Sequence, residues 1–117
     1  MNLSCSTTNL LAFLFPWHRA RLAEQVGGEV ARACRAEFWR RVGPRVGSMS
    51  VSEIRGYVRA FAEDHIIAEV DHVLSRRRLS ITLRPYVVAS GVEQLINLAV
   101  RDALSEELST MARPLAA

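Results

Sequence analysis

Residues 50–78, SVSEIRGYVRAFAEDHIIAEVDHVLSRRR, decide the fold. The stretch opens on Ser50-Val51-Ser52-Glu53, which has capping-box spacing: the Ser hydroxyl takes a free backbone N–H and the Glu reaches back. It closes on Arg76-Arg77-Arg78, where positive charge suits the negative end of a helix dipole. No proline intervenes, so one helix from Val51 to about Arg78 is expected, roughly 42 Å long at 1.5 Å per residue.

On a helical wheel with Ile54 at zero, Tyr57, Val58 and Phe61 lie within about 60° of it and give the first half one apolar face. In the second half Ile66, Val70, Val73 and Leu74 centre about 150° away, and Ile67 widens that face. His65, Ala68, Glu69 and His72 hold the direction that was apolar half a helix earlier. Either the two halves pack against different neighbours, or the helix bends or breaks near Glu63-Asp64. Nothing in residues 60–68 is a helix breaker, so the first cause is preferred. It makes Ile66, Ile67, Val70, Val73 and Leu74 an expected interface with a second copy of the chain.

The flanking segments are helical too. Pro16 suits a first turn, and no further proline interrupts the run from Trp17 to about Val42. Leu22, Val26, Val30, Ala33 and Cys34 fall in one arc of it. Gly27-Gly28 weakens this helix, yet Ala23, Gly27 and Ala31 are four apart and permit the close approach of another helix. Gly43-Pro44 ends the segment. Leu79-Ser80-Ile81-Thr82-Leu83 alternates apolar with polar and reads as a short extended linker or single strand. Pro85 opens a third helix to about Leu108, with Val88, Val92, Leu95, Ile96, Ala99, Val100 and Ala103 as its stripe. The expected architecture is all-α: a three-long-helix bundle with an N-terminal apolar segment, associating as a homodimer or higher oligomer. Residues 1–16 form the apolar segment, 17–110 the helical domain and 111–117 a flexible tail.

Composition agrees. The chain has 117 residues, 50% apolar and 23% charged, which excludes the disordered class and allows one domain with a real core. Six Gly and four Pro are too few for a turn-rich β-sandwich. All fifteen basic residues are Arg. Residues 1–62 hold nine Arg against four acids and residues 63–117 six against eight, a division that favours self-association or an asymmetric partner over a polyanion. Cys34 on an apolar face reads as a buried thiol and Cys5 lies in a polar stretch, so a reducing, cytoplasmic compartment is expected. The apolar run at 10–15 is far short of the ~20 residues that span a bilayer. From Leu10 to Arg21 the chain has the makings of an interfacial membrane contact, an apolar plug followed by Trp17, Arg19 and Arg21. The plainer expectation is that the plug packs onto the helical core.

Glu69-Val70-Asp71-His72 is a Glu-x-x-His sequence whose two ends share one helical face. It resembles, over those four residues, the pair used by ferritin-like di-iron carboxylate proteins, which implies a transition metal held in a helical bundle. His65 and His72 are seven apart, about 10 Å along the axis, so they cannot share one ion unaided. Candidate ligands are therefore His65, Glu69 and His72, with His18 as the nearest outside donor if the first two helices form a hairpin. The competing reading is a solvated polar face, or histidines bonded to Asp and Glu at a subunit contact, with no cofactor. Asp64-His65 and Asp71-His72 are adjacent pairs and point about 100° apart, so neither is an acid–base dyad. The cluster Arg76, Arg77, Arg78 and Arg84 could contact phosphates. A medium–long–medium helix order with a basic loop also resembles the histone fold, which implies nucleic-acid binding. The function expected from all this is a non-enzymatic helical interaction or regulatory module that self-associates or meets another protein. Nucleic-acid binding through Arg76–Arg78 and a ferritin-like metal assembly through Glu69 and His72 are the alternatives.

Overall fold

The computed structural model describes residues 15–112, excepting the side chains at 44, 46 and 107–112. Helix α1 spans Pro16–Val42, with Pro16 in its first turn and Gly43, at φ 61°, ending it. A 3₁₀ segment, Gly43–Ser48, leads to α2, Val51–Phe61. Ser50 caps α2 by the expected box: its Oγ accepts from the Glu53 N–H at 3.2 Å, and the Glu53 carboxylate accepts from the Ser50 N–H at 3.3 Å. A π turn, Ala62–Ile66, then runs without a break into α3, Ile67–Arg77. Helix α4, Arg84–Ala112, completes a bundle of three long helices, the middle one being α2, the π turn and α3 together. Among the described residues there is no strand.

The π turn explains the turned apolar face, and the preferred cause is corrected. The Ile67 N–H bonds the Ala62 carbonyl, a five-residue step in place of the usual four. One surplus residue in a turn retards the wheel by about 100°, most of the 150° offset between the two faces. Ile54, Val58 and Phe61 therefore join Ile66, Val70, Val73 and Leu74 in a single core. Ile66, Val70 and Val73 are wholly buried and Leu74 nearly so, all within one chain; Ile67 is half-buried. Of the residues expected to meet a second copy, Ile66, Val70, Val73 and Leu74 thus belong to the core of the single chain.

Helix direction follows from the side-chain pairs. Phe38 meets Phe61, Arg41 meets His65 and Glu29 meets Arg76, so the middle helix runs antiparallel to α1. Arg19 lies over Tyr86, Gly27 faces Ser90 and Arg35 binds Asp102, so α4 runs parallel to α1. The α1–α4 contact is the widest in the molecule. Its centre is the close approach foreseen at the glycine pair. A Cβ on Gly27 would stand 2.7 Å from Ser90 Cβ and 2.9 Å from the Gly91 backbone nitrogen. Val26, Val30, Leu95 and Ile96 fill the seam around it.

Three local expectations change. Residues 79–83 are not extended: Ser80 Oγ accepts from the Thr82 N–H at 3.2 Å and starts a 3₁₀ turn, Ile81–Leu83, that Leu83 anchors in the core. Ala33 is exposed, and Ala23, Ala31 and Phe38 bury the α1 face in its place. Helix α4 reaches Ala112, past the expected end at Leu108; residues 1–14 and 113–117 lie outside the described residues, as do the expectations placed on them. No helix of the described residues is long and apolar enough to cross a membrane.

Candidate functional site

The four proposed metal ligands are not brought together. His65 stacks on Phe61 with centroids 4.6 Å apart, and its Nε2 lies 2.9 Å from Arg41 Nη2. A guanidinium can only donate, so Nε2 is the acceptor and its lone pair is engaged. The other nitrogen, Nδ1, is buried without a hydrogen-bond partner. Glu69 is half-buried and close enough to Cys34 of α1 for its charge to act on the thiol, and His72 is exposed. His18 sits beside Trp17 at the opposite reach of α1. Because Arg76 is level with Glu29, His18 and His72 are about 20 Å apart along the bundle. Among the described residues no three His, Cys, Asp or Glu side chains group as a metal site requires.

Cys34 is the one group here whose chemistry is strongly altered. Burial, and secondarily the Glu69 carboxylate, push its thiol up from 9.0 to about 11. That is about a hundredfold less thiolate at pH 8, and the thiolate is the reactive form. In a Cys5→Ser background, Cys34 is expected to react with a maleimide at least about a hundredfold more slowly than a free thiol. Glu69→Gln should recover only a small part of the difference, since burial is the larger cause. A rate near that of the free thiol would show the α1–α3 seam to be open.

Three of the four arginines, Arg76, Arg77 and Arg84, are paired with acids of their own chain. Arg76 and Arg77 both reach Glu29 and fasten α3 to α1. Arg84 grips Asp71 with two bonds, Nε to Oδ1 at 2.6 Å and Nη2 to Oδ2 at 3.2 Å, and fastens the start of α4 to α3. Those bonds hold the Asp71 carboxyl below the usual carboxylate range. Arg78 ends α3 in the left-handed conformation, φ 56°, its N–H reaching the Leu74 and Ser75 carbonyls. Arg76 and Arg77 lie in the last turn of α3, Arg78 caps it and Arg84 opens α4.

Sequence reading missed two surface features because their members are far apart in the chain. Asp102 of α4 accepts from Arg35 Nε at 2.8 Å and from Trp39 Nε1 at 2.6 Å. Nearer the middle, a polar cleft of about 540 Å³ runs between α1 and α4 over Gly28, lined by Arg21, Glu24, Arg32 and Gln94 among others. The Gln94 amide is fixed there by the Glu24 carbonyl at 2.7 Å and Ser90 Oγ at 2.9 Å.

Apart from Tyr57, which stands exposed on α2 and not on its expected apolar face, the large exposed apolar side chains lie at two places. At the end of the bundle where α1 and α4 begin are Phe15, Trp17, Ile81 and Tyr86. On the side, where α2 begins against the second half of α4, Val51 and Leu104 flank a shallow groove floored by Ile96 and Val100. Arg55, Asn97 and Arg101 form its polar rim. No known protein family, curated protein or solved structure matches the chain.

Proposed function

We propose that the chain is a non-enzymatic helical interaction module that self-associates through the α2–α4 groove. The observation that carries this reading is the exposure of Val51 and Leu104, each more than half accessible, beside the half-buried Val100. An apolar strip with a polar rim has the anatomy of a protein interface. Most dimers pair one surface with itself about a two-fold axis, so a second copy of the same groove is the natural occupant. The Arg55–Glu93 ion pair, 3.7 Å apart and exposed on both sides, stands near this strip and can exchange partners across such an axis.

Light scattering is expected to give a mass above the 13.1 kDa of one chain. Val51→Glu combined with Leu104→Glu should return a monomer with an unchanged helical circular-dichroism spectrum. A monomer at every concentration for the unaltered protein, or an oligomer indifferent to the double change, rejects the reading.

A further inference from the structure

The end of the bundle where α1 and α4 begin carries a combination the self-association groove does not use. Phe15, Trp17, Ile81 and Tyr86 are 43%, 65%, 68% and 44% exposed. They are four of the seven large apolar side chains exposed among the described residues, gathered at one end of the bundle. Phe15 and Trp17 rings lie 6.0 Å apart at the start of α1, and Arg19 stacks over Tyr86 at 4.3 Å.

Arginines outnumber acids at this end, where Asp71 is paired with Arg84. Neither α1 nor α4 has an acid in its first turn, although the positive end of a helix dipole favours one there. The nearby cations are Arg19, Arg21 and Arg84; Arg84 is paired with Asp71, and Arg19 lies over the Tyr86 ring. Immediately before Phe15 the sequence reads Leu10-Leu11-Ala12-Phe13-Leu14. Aromatic rings and an isoleucine at a tip, arginines one turn back, and an apolar segment leading in are the parts of an interfacial lipid contact.

We infer that this end of the bundle docks on an anionic lipid surface, with Trp17 and Ile81 entering the headgroup layer and Arg19 and Arg21 meeting lipid phosphates. A protein partner would be expected to bring carboxylates to the arginines and a shaped pocket to the rings. A lipid surface needs only depth and negative charge, and those are what this end is suited to. The inference is independent of the proposed self-association, because it uses the tip of the bundle and leaves the Val51–Leu104 groove untouched.

The test uses the full chain and vesicles of two parts phosphatidylcholine to one part phosphatidylserine. The protein is expected to co-sediment with these and to remain in solution with pure phosphatidylcholine vesicles. Trp17 is the reporter: the difference spectrum between the unaltered chain and Trp17→Phe isolates its emission from that of Trp39. This emission should shift to the blue on adding the anionic vesicles. Trp17→Glu with Ile81→Glu should lower the bound fraction by about tenfold or more while circular dichroism stays helical. Failure to co-sediment with anionic vesicles overturns the inference, as does binding unaffected by the double change. It is also overturned if Trp17 emission is already blue-shifted in buffer and indifferent to vesicles, because the end is then covered by residues 10–14 or by a partner protein. Light scattering of the same double variant separates the two readings: loss of vesicle binding with the oligomer retained leaves the groove proposal standing.

Discussion

Deletion of Asp64 is expected to leave a folded protein whose melting temperature lies within about 5 °C of the parent, roughly 1 kcal/mol. Deleting a residue from a helix interior ordinarily swings everything beyond it by about 100° and turns its buried face outward. Here the π turn already holds one residue more than an α-helix needs. Removing the exposed Asp64 lets residues 62–66 revert to α-helical hydrogen bonding. Phe61 and Ile66 then stand four apart on one face, and Val70, Val73 and Leu74 keep their direction. The converse change separates this account from mere tolerance. An Ala inserted after Asp64 adds a second surplus residue with no turn left to absorb it. Ile66, Val70, Val73 and Leu74, all now buried, would rotate toward solvent. At about 1.5–3 kcal/mol for each fully buried aliphatic side chain, their loss is comparable with the whole stability of a small domain. The insertion should therefore unfold the chain, read as loss of a cooperative thermal transition. If insertion and deletion are equally harmful, the π turn is not what aligns the two halves.

Gly27→Leu is the second large effect, a loss of at least about 3 kcal/mol and a fall in melting temperature of about 12 °C or more. The atoms facing Gly27 include the Gly91 backbone nitrogen, which cannot rotate away, so α1 and α4 must move apart along their widest contact. Alanine at three helical glycines makes the argument quantitative. Gly56 is exposed with nothing within 4 Å of an added Cβ, and Gly56→Ala should stabilise by about 0.5–1 kcal/mol through helix propensity alone. Gly28→Ala meets side-chain atoms only, Gln94 Oε1 at 2.8 Å and Arg32 Nη1 at 3.2 Å; making room loosens the Gln94 amide from Glu24 and Ser90, so the change should fall between the other two. Gly27→Ala should destabilise despite the same gain in propensity. Chemical denaturation of the three proteins gives the order directly, and a stabilising Gly27→Ala would mean that the helices are not in contact there.

Features that depend on neighbours in sequence were legible: the Ser50–Glu53 cap, the stop at Gly43, the start at Pro85 and the small-residue seam at Gly27. The phase slip in the middle helix was legible as well, but its cause was not. A π turn keeps the backbone hydrogen-bonded and needs neither Gly nor Pro, so residues 60–68 carry no mark of it. Mistaking its cause sent Ile66, Val70, Val73 and Leu74 to an interface when they belong to the core. The candidate ligands failed for a related reason. His65, Glu69 and His72 share a face on a wheel, but the π turn comes between Phe61 and Ile67, and His65 is taken up by Phe61 and by Arg41 of α1. Likewise Glu29, Asp71 and Asp102 find their arginines 67 residues away in one case and 13 in another, beyond any helical period.

The parallel pairing of α1 with α4 also bears on how the chain is made. Gly27 and Gly91 touch, yet 63 residues must leave the ribosome between them. As it emerges, α1 can fold back only on the middle helix, through Phe38–Phe61 and Glu29–Arg76, leaving Val26 and Val30 without the α4 side chains that cover them. A long sequence separation also adds loop-closure entropy to the folding barrier. The nascent hairpin therefore displays an apolar seam until α4 has emerged, and that interval is when the chain is most open to aggregation or to a chaperone.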